Sequence, residues 1–212
     1  MLSFDPMNPE ENANTITHGV GAVASVIAGA MLVGMAAGSG DPWRITGAAI
    51  FSVALALLYT ASTLFHWERD HRLKRRYEII DHCAIFVLIA GTYTPFTLIT
   101  LRNSVGWPLF AVIWSLAVAG IVFKLIFATR FRLISTLIYI AMGWLIIVAA
   151  EPMLQALPLP TAILLAIGGI AYTGGTYFFY HERIVYGHAI WHLFVLVGSI
   201  CHFLAVASQV VR

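Results

Sequence analysis

Seven apolar runs follow one another along this chain, each about the 20 residues that an α-helix needs to cross the hydrocarbon of a bilayer. They lie at roughly 17–38, 44–66, 79–101, 107–127, 133–151, 160–180 and 186–209. No other feature limits the fold so tightly, because backbone N–H and C=O groups in hydrocarbon must be satisfied within a helix or a closed barrel. The runs are continuous rather than alternating, which selects helices over barrel strands. Composition leads the same way: with 60% hydrophobic residues, 10% charged residues and a mean hydropathy of +0.86, almost nothing is left over for a soluble domain. The expected fold is all-α, a seven-transmembrane-helix bundle. It forms a single integral-membrane domain over 1–212, with 1–16 as a short cytoplasmic N-terminal segment.

Connections such as "GSGDPWR" (38–44), "RNSVGW" (102–107) and "ATRFR" (128–132) are short, so successive helices are antiparallel neighbours. The segment "HWERDHRLKRRYEIID" (66–81) reads as a cytoplasmic loop beside anionic headgroups. In "EPMLQALPLP" (151–160), the prolines at 152, 158 and 160 should end the fifth span and delay the sixth. Small residues, Ala30, Gly34 and Gly38 in the first span and Gly168, Gly169, Gly174 and Gly175 in the sixth, are suited to close helix contact. Cys83 and Cys201 lie inside spans and read as small buried hydrophobes. The N-terminal peptide "MLSFDPMNPEEN" has three acids and no Lys or Arg, the reverse of a signal peptide, so no cleaved leader is expected.

With seven spans, the N-terminus and the even-numbered loops share one face. That face carries Arg69, Arg72, Lys74, Arg75, Arg76, Lys124, Arg130, Arg132 and Arg183; the other carries Arg44, Arg102 and Arg212. Nine cations against three place the N-terminus in the cytoplasm and the C-terminus outside.

Ionisable groups within spans are costly, so each one needs a partner. They cluster. The first span begins with Glu11, Asn14, Thr17 and His18; the second ends with Ser62 and His66; the third begins with Asp81 and His82; the seventh begins with His188 and His192. All of these positions fall at the cytoplasmic ends of their helices. His188 and His192 are one turn apart on one face, a spacing that presents two imidazoles to one metal ion, although such pairs also serve polar partners. His66 is at the depth to supply a third nitrogen, which gives a three-His site for Zn²⁺ with an open position. Asp81 is placed to orient or deprotonate a water there, and Ser62 to donate to an oxyanion. His202, ten residues beyond His192, is about 15 Å deeper and is expected to hydrogen-bond within the bundle. His82 points away from Asp81 and is given a packing or hydrogen-bonding role, while His71 and His181 belong to solvated ends.

In these residues the chain resembles the progestin and adipoQ receptor (PAQR) family, and within it the bacterial hemolysin III-like branch. The motif E-x-x-N-x-x-[ST]-H reads as Glu11, Asn14, Thr17 and His18. S-x-x-x-H followed by Asp reads as Ser62, His66 and Asp81, and H-x-x-x-H as His188 and His192. The resemblance spans nearly the whole chain. It implies a zinc ion held by His66, His188 and His192, with Asp81 and Ser62 around it, and a supporting role at the site rim for the first motif. The family is also similar to alkaline ceramidases, which implies zinc-dependent hydrolysis of a lipid amide or ester.

Two functions follow as expectations: a zinc-dependent lipid hydrolase of a bacterial inner membrane, or a non-catalytic sensor or regulator of membrane lipid state with structural zinc. Membrane lipids are the expected partners. Nucleic acid is not one, and no protein partner follows from the sequence. A transport pathway lacks the chain of charges it needs across the deeper spans. A retinal pump lacks a lysine in the last span, since the two lysines are Lys74 and Lys124.

Overall fold

The structure, a computed structural model, describes residues 9–128, 130–181 and 183–211. Residues 1–8 of the expected N-terminal segment, and Arg212 of the outer-face cations, lie outside the described residues. The described residues form helices and turns with no strand among them: α1 (Pro9–Gly38), α2 (Pro42–Trp67), α3 (His71–Pro95), α4 (Gly106–Phe127), α5 (Arg132–Gly143), α6 (Ala150–Ala156), α7 (Leu159–Tyr180) and α8 (Gly187–Val210). A π-helical turn, Phe96–Thr100, extends α3, and a 3₁₀ stretch, Trp144–Ala149, joins α5 to α6. The described helices therefore make seven spans long and apolar enough to cross a membrane.

Three boundaries differ from the sequence reading, each for a local reason. α1 begins at Pro9, so residues 9–16 are helical and not an extended segment; Glu10 and Glu11 sit in its first turn, where carboxylates favour the positive end of the helix dipole. α3 begins at His71, so most of the supposed loop 66–81 is helix. Asp70 caps it, its side chain accepting from the N–H groups of Arg72 (3.0 Å) and Leu73 (2.9 Å). Pro152 does not end the fifth span, because it lies in the first turn of α6, where a missing N–H breaks no intrahelical bond.

The helical break ahead of α6 is held from α3. The Tyr93 hydroxyl shares its proton between the carbonyls of Met142 and Gly143 (2.9 Å each) and accepts from the Ile146 N–H at 2.8 Å. Backbone groups freed by the irregular turn are thus satisfied inside protein, as a membrane interior requires.

α3 runs through the middle of the bundle, packed on α2 and α4 and touching α5 and α8. Its Ala84, Phe86 and Ala90 are buried with Phe51 and Tyr59 of α2, Ile113 and Ala117 of α4 and Val206 of α8. Large aliphatics such as Val20, Val53, Leu125 and Val148 face outward. Lipid contact explains them, since no bulk water is there to penalise them.

The small residues divide into two groups. Gly34 and Gly38 have nothing within 4 Å of where a Cβ would stand, so within this chain they serve no close contact. Gly120 does: a Cβ there would come within 2.2 Å of the Phe86 ring. Gly120→Ala is expected to cost about 1–3 kcal/mol through overpacking. Thermal unfolding in detergent should show a lowered midpoint for it, and none for Gly34→Ala.

Candidate metal centre

The first turns of α1, the last of α2 and the first of α3 and α8 meet at one end of the bundle, which brings the three polar motifs together. Imidazole nitrogens of His66, His188 and His192 lie within 4.8 Å of one another and could hold a metal ion. Their ring centroids are 4.9 Å (His66 to His188), 4.9 Å (His66 to His192) and 4.7 Å (His188 to His192) apart. His66 and His192 are buried, while His188 is partly open.

Hydrogen bonds at the far side of two rings fix which nitrogen faces inward. His66 Nδ1 meets Glu11 Oε2 at 2.6 Å, and an ionised carboxylate only accepts, so Nδ1 carries the proton. In the neutral ring Nε2 is then the lone-pair nitrogen, and that atom is buried without a hydrogen-bond partner. His192 Nδ1 lies 3.0 Å from Thr17 Oγ1, whose own proton goes to the carbonyls of Ala13 and Asn14, both at 2.9 Å. The threonine oxygen therefore accepts from Nδ1–H, and Nε2 of His192 is again the lone-pair nitrogen. Two imidazoles whose Nδ1–H groups are held from outside, one ending in an orphaned buried nitrogen, fit a metal ion, which binds such rings in their neutral form and with this kind of hydrogen-bond support.

The rest of the first motif lies deeper than the rim position expected of it. Glu11 is half-buried and also accepts from Lys74 Nζ at 3.0 Å, tying α1 to the start of α3. Asn14 and His18, by contrast, are each only 4% exposed. His18 stacks on His192 at 3.4 Å between centroids, and its Nδ1 is 2.7 Å from Ser62 Oγ. Ser62 in turn faces the Asp81 carboxyl. A line of contacts thus runs from Asp81 through Ser62 and His18 to the face of His192.

His82 receives a hydrogen bond from the Tyr139 hydroxyl on its backbone carbonyl (2.9 Å), and its own Nδ1 is buried without a partner. His202 bonds the Leu165 carbonyl through Nε2 at 3.2 Å. His71 and His181 are exposed.

A cavity of about 170 Å³ opens from the cluster into the bundle. His188, His192, Asp81 and Ser62 line one part; Leu88, Ile89, Ile140, Trp144 and Trp191 give it apolar walls. Lys124, counted from the sequence among the cations of the N-terminal face, also lines it and is 1% exposed. Lys74 and Lys124 are the two residues of this region that sequence reasoning passed over. Lys74 stood in a run of cations with nothing to single it out, and Lys124 carried the one available signal, a lone charge inside an apolar span.

The comparisons with known proteins agree with this architecture. The family model described as "Haemolysin-III related" matches residues 7–203. The chain is 47% identical over 203 residues to the "Hemolysin-3 homolog" of Bacillus subtilis (strain 168), covering 96% of this chain and 95% of that one. It is 48% identical over 201 residues to "Hemolysin-3" of Bacillus cereus, covering 95% and 92%. It is 27% identical over 219 residues to the human "Monocyte to macrophage differentiation factor", covering 99% and 88%. Seven apolar helices with their polar motifs gathered at one end, and a family match over nearly the full length, make this chain a multi-pass membrane protein that belongs to the haemolysin III-related family, the bacterial branch of the PAQR proteins.

Proposed function

We propose that this protein is a zinc-dependent hydrolase of lipid amides or esters, acting at the cytoplasmic face of a bacterial inner membrane, with His66, His188 and His192 as the zinc ligands. The observation that carries the reading is the preset triad. Three imidazole nitrogens converge within 4.8 Å beside a cavity with apolar walls, two of them oriented by Glu11 and Thr17. Nitrogen donors of this kind suit Zn²⁺, and three protein ligands with room for another group are the pattern of catalytic sites. When bound, zinc supplies Lewis acidity toward a carbonyl and makes water a better proton donor.

The protein's own groups then divide the work. Asp81, lining the cavity beside the triad, orients a water and takes its proton. Ser62, between Asp81 and His18, holds the carboxyl in position. The apolar walls take the acyl chain. The cationic residues gathered at this end of the bundle support the cytoplasmic assignment.

A second reading has zinc as a structural ion in a sensor of membrane lipid state. It draws on the engagement of Ser62 by His18 and Asp81, which commits the serine hydroxyl away from an oxyanion. Purified protein decides between them. Stoichiometric zinc with turnover of a lipid amide or ester supports the hydrolase; zinc without turnover, joined to altered membrane composition in a deletion strain, supports the sensor. Absence of zinc defeats both.

The outer-shell argument has its own test. Thr17→Val keeps the volume but removes the acceptor for His192 Nδ1–H, and zinc affinity measured by chelator competition is expected to fall about 10-fold.

A further inference from the structure

Lys124 is the buried charge that the metal centre does not use. It sits in the last turn of α4, three residues from the helix end at Phe127, where a lysine stem normally reaches outward to the headgroups. Here it turns inward and is 1% exposed, lining the cavity. No hydrogen bond or ion pair to its amine is formed among the described residues. The Cys83 thiol and the Glu78 carboxyl of α3 are the acidic groups that face it, and neither forms an ion pair or hydrogen bond with it among the described residues.

Of the nitrogen-bearing neighbours facing it, Arg132 and His82, the guanidinium is an obligate donor. Arg132 at the start of α5 lines the same cavity, gives Nη2 to the Phe179 carbonyl at 3.1 Å and stacks 4.4 Å over the Phe179 ring. His82 of α3, with its Nδ1 buried and unpartnered, lines the cavity too. The hydroxyls of Ser135 and Thr136 also line the cavity and give their protons to the carbonyls of Phe131 and Arg132, so their oxygens are neutral acceptors that cannot balance its charge. A buried charge is tolerated when it is paired. This wall of the cavity has two cationic residues and, among the described residues, no carboxylate in ion-pair contact with Lys124, which leaves its amine open to an acidic group that enters the cavity.

We propose that Lys124 anchors an anion subsite, and that the amphiphile this cavity takes carries an acidic group, a phosphate or a carboxylate, and not a neutral headgroup alone. The proposal deepens the lipid-hydrolase reading by naming the charge of the ligand, and it rests on that reading only for the claim that the ligand is lipid. The acidic group lies against Lys124 in the field of Arg132, while the chain occupies the apolar wall. A phosphate would come from the headgroup of an intact lipid. A carboxylate would come from a released fatty acid.

Three amphiphiles with one chain length separate these cases: dodecyl phosphate, dodecanoate and the neutral dodecanamide, each competed against a fluorescent acyl probe on the full-length protein in nanodiscs. The anions are expected to bind about 10-fold or more tightly than the amide, as a charge-assisted hydrogen bond provides. Lys124→Met should erase that preference and leave the amide unchanged, and Lys124→Arg should keep it. Phosphate ahead of carboxylate assigns the subsite to a lipid headgroup; the reverse order assigns it to a released acid.

Equal binding of all three by the wild type overturns the proposal, and so does an anion preference that survives in Lys124→Met. That holds whether or not a second variant folds, because the first comparison needs no variant. Running the series on metal-stripped protein separates the two readings. A preference lost with the metal and indifferent to Lys124 places the anion on the ion and overturns the subsite. A Lys124-dependent preference in a protein that never holds zinc keeps the subsite and removes the hydrolase.

Discussion

Exchange of His192 for alanine is expected to abolish stoichiometric zinc binding, with affinity falling by more than about 100-fold, beyond what outer-shell changes produce. The imidazole of His192 does two things that alanine cannot. It supplies one of three convergent nitrogens, and it forms the plane on which His18 stacks at 3.4 Å. Metal analysis of the purified variant and chelator competition read the first effect. The control lies on the same helix: His202→Ala removes an imidazole about 15 Å further along α8, outside the triad, and should leave zinc content at the wild-type level. Zinc retained in His192→Ala would mean that the ion sits elsewhere and would overturn the site.

Asp81→Asn is expected to lower lipid hydrolysis by about 10²- to 10⁴-fold while zinc stays bound, the range that loss of a general base produces. Asparagine keeps the shape and the ability to accept from Ser62, so the line from residue 81 through Ser62 to His18 stays intact. What it loses is basicity. Turnover and zinc content measured on the same preparation give the answer: loss of both together would make Asp81 a support of the metal site and not the base, and loss of neither would remove it from the mechanism.

Both experiments concern residues that the sequence singled out, and the reason is physical. In hydrocarbon a polar side chain is expensive, so the few that occur stand out against the apolar runs and have to meet one another. Glu11, Ser62, His66, Asp81, His188 and His192 were visible in this way before any coordinates. The helix ends were less so. The start of α3 was hidden because "RDHRLKRRYE" is polar on every side and resembles a loop, although Asp70 carried a capping signal three residues ahead of Leu73. Pro152 was read as a terminator, yet a proline in a first turn is as compatible with beginning a helix as with ending one.

Distance along the chain set the remaining limit. Thr17 is 175 residues from His192 and Glu11 is 63 from Lys74, and no periodicity connects such pairs. The same applies to the stack of His18 on His192, which places a first-motif residue within the bundle where a rim position was expected.

The sequence alone determined the class of this protein: seven apolar spans, helical because hydrocarbon leaves backbone groups no other partner, with their costly polar residues at one end. Only the tertiary structure decided how those residues are used. It turned the imidazoles so that Glu11 and Thr17 hold two Nδ1 protons outward, and it pointed Lys124 into a cavity when its position near a helix end would have let it reach water. Tautomer and direction depend on what lies across the bundle, and packing alone brings those partners into reach.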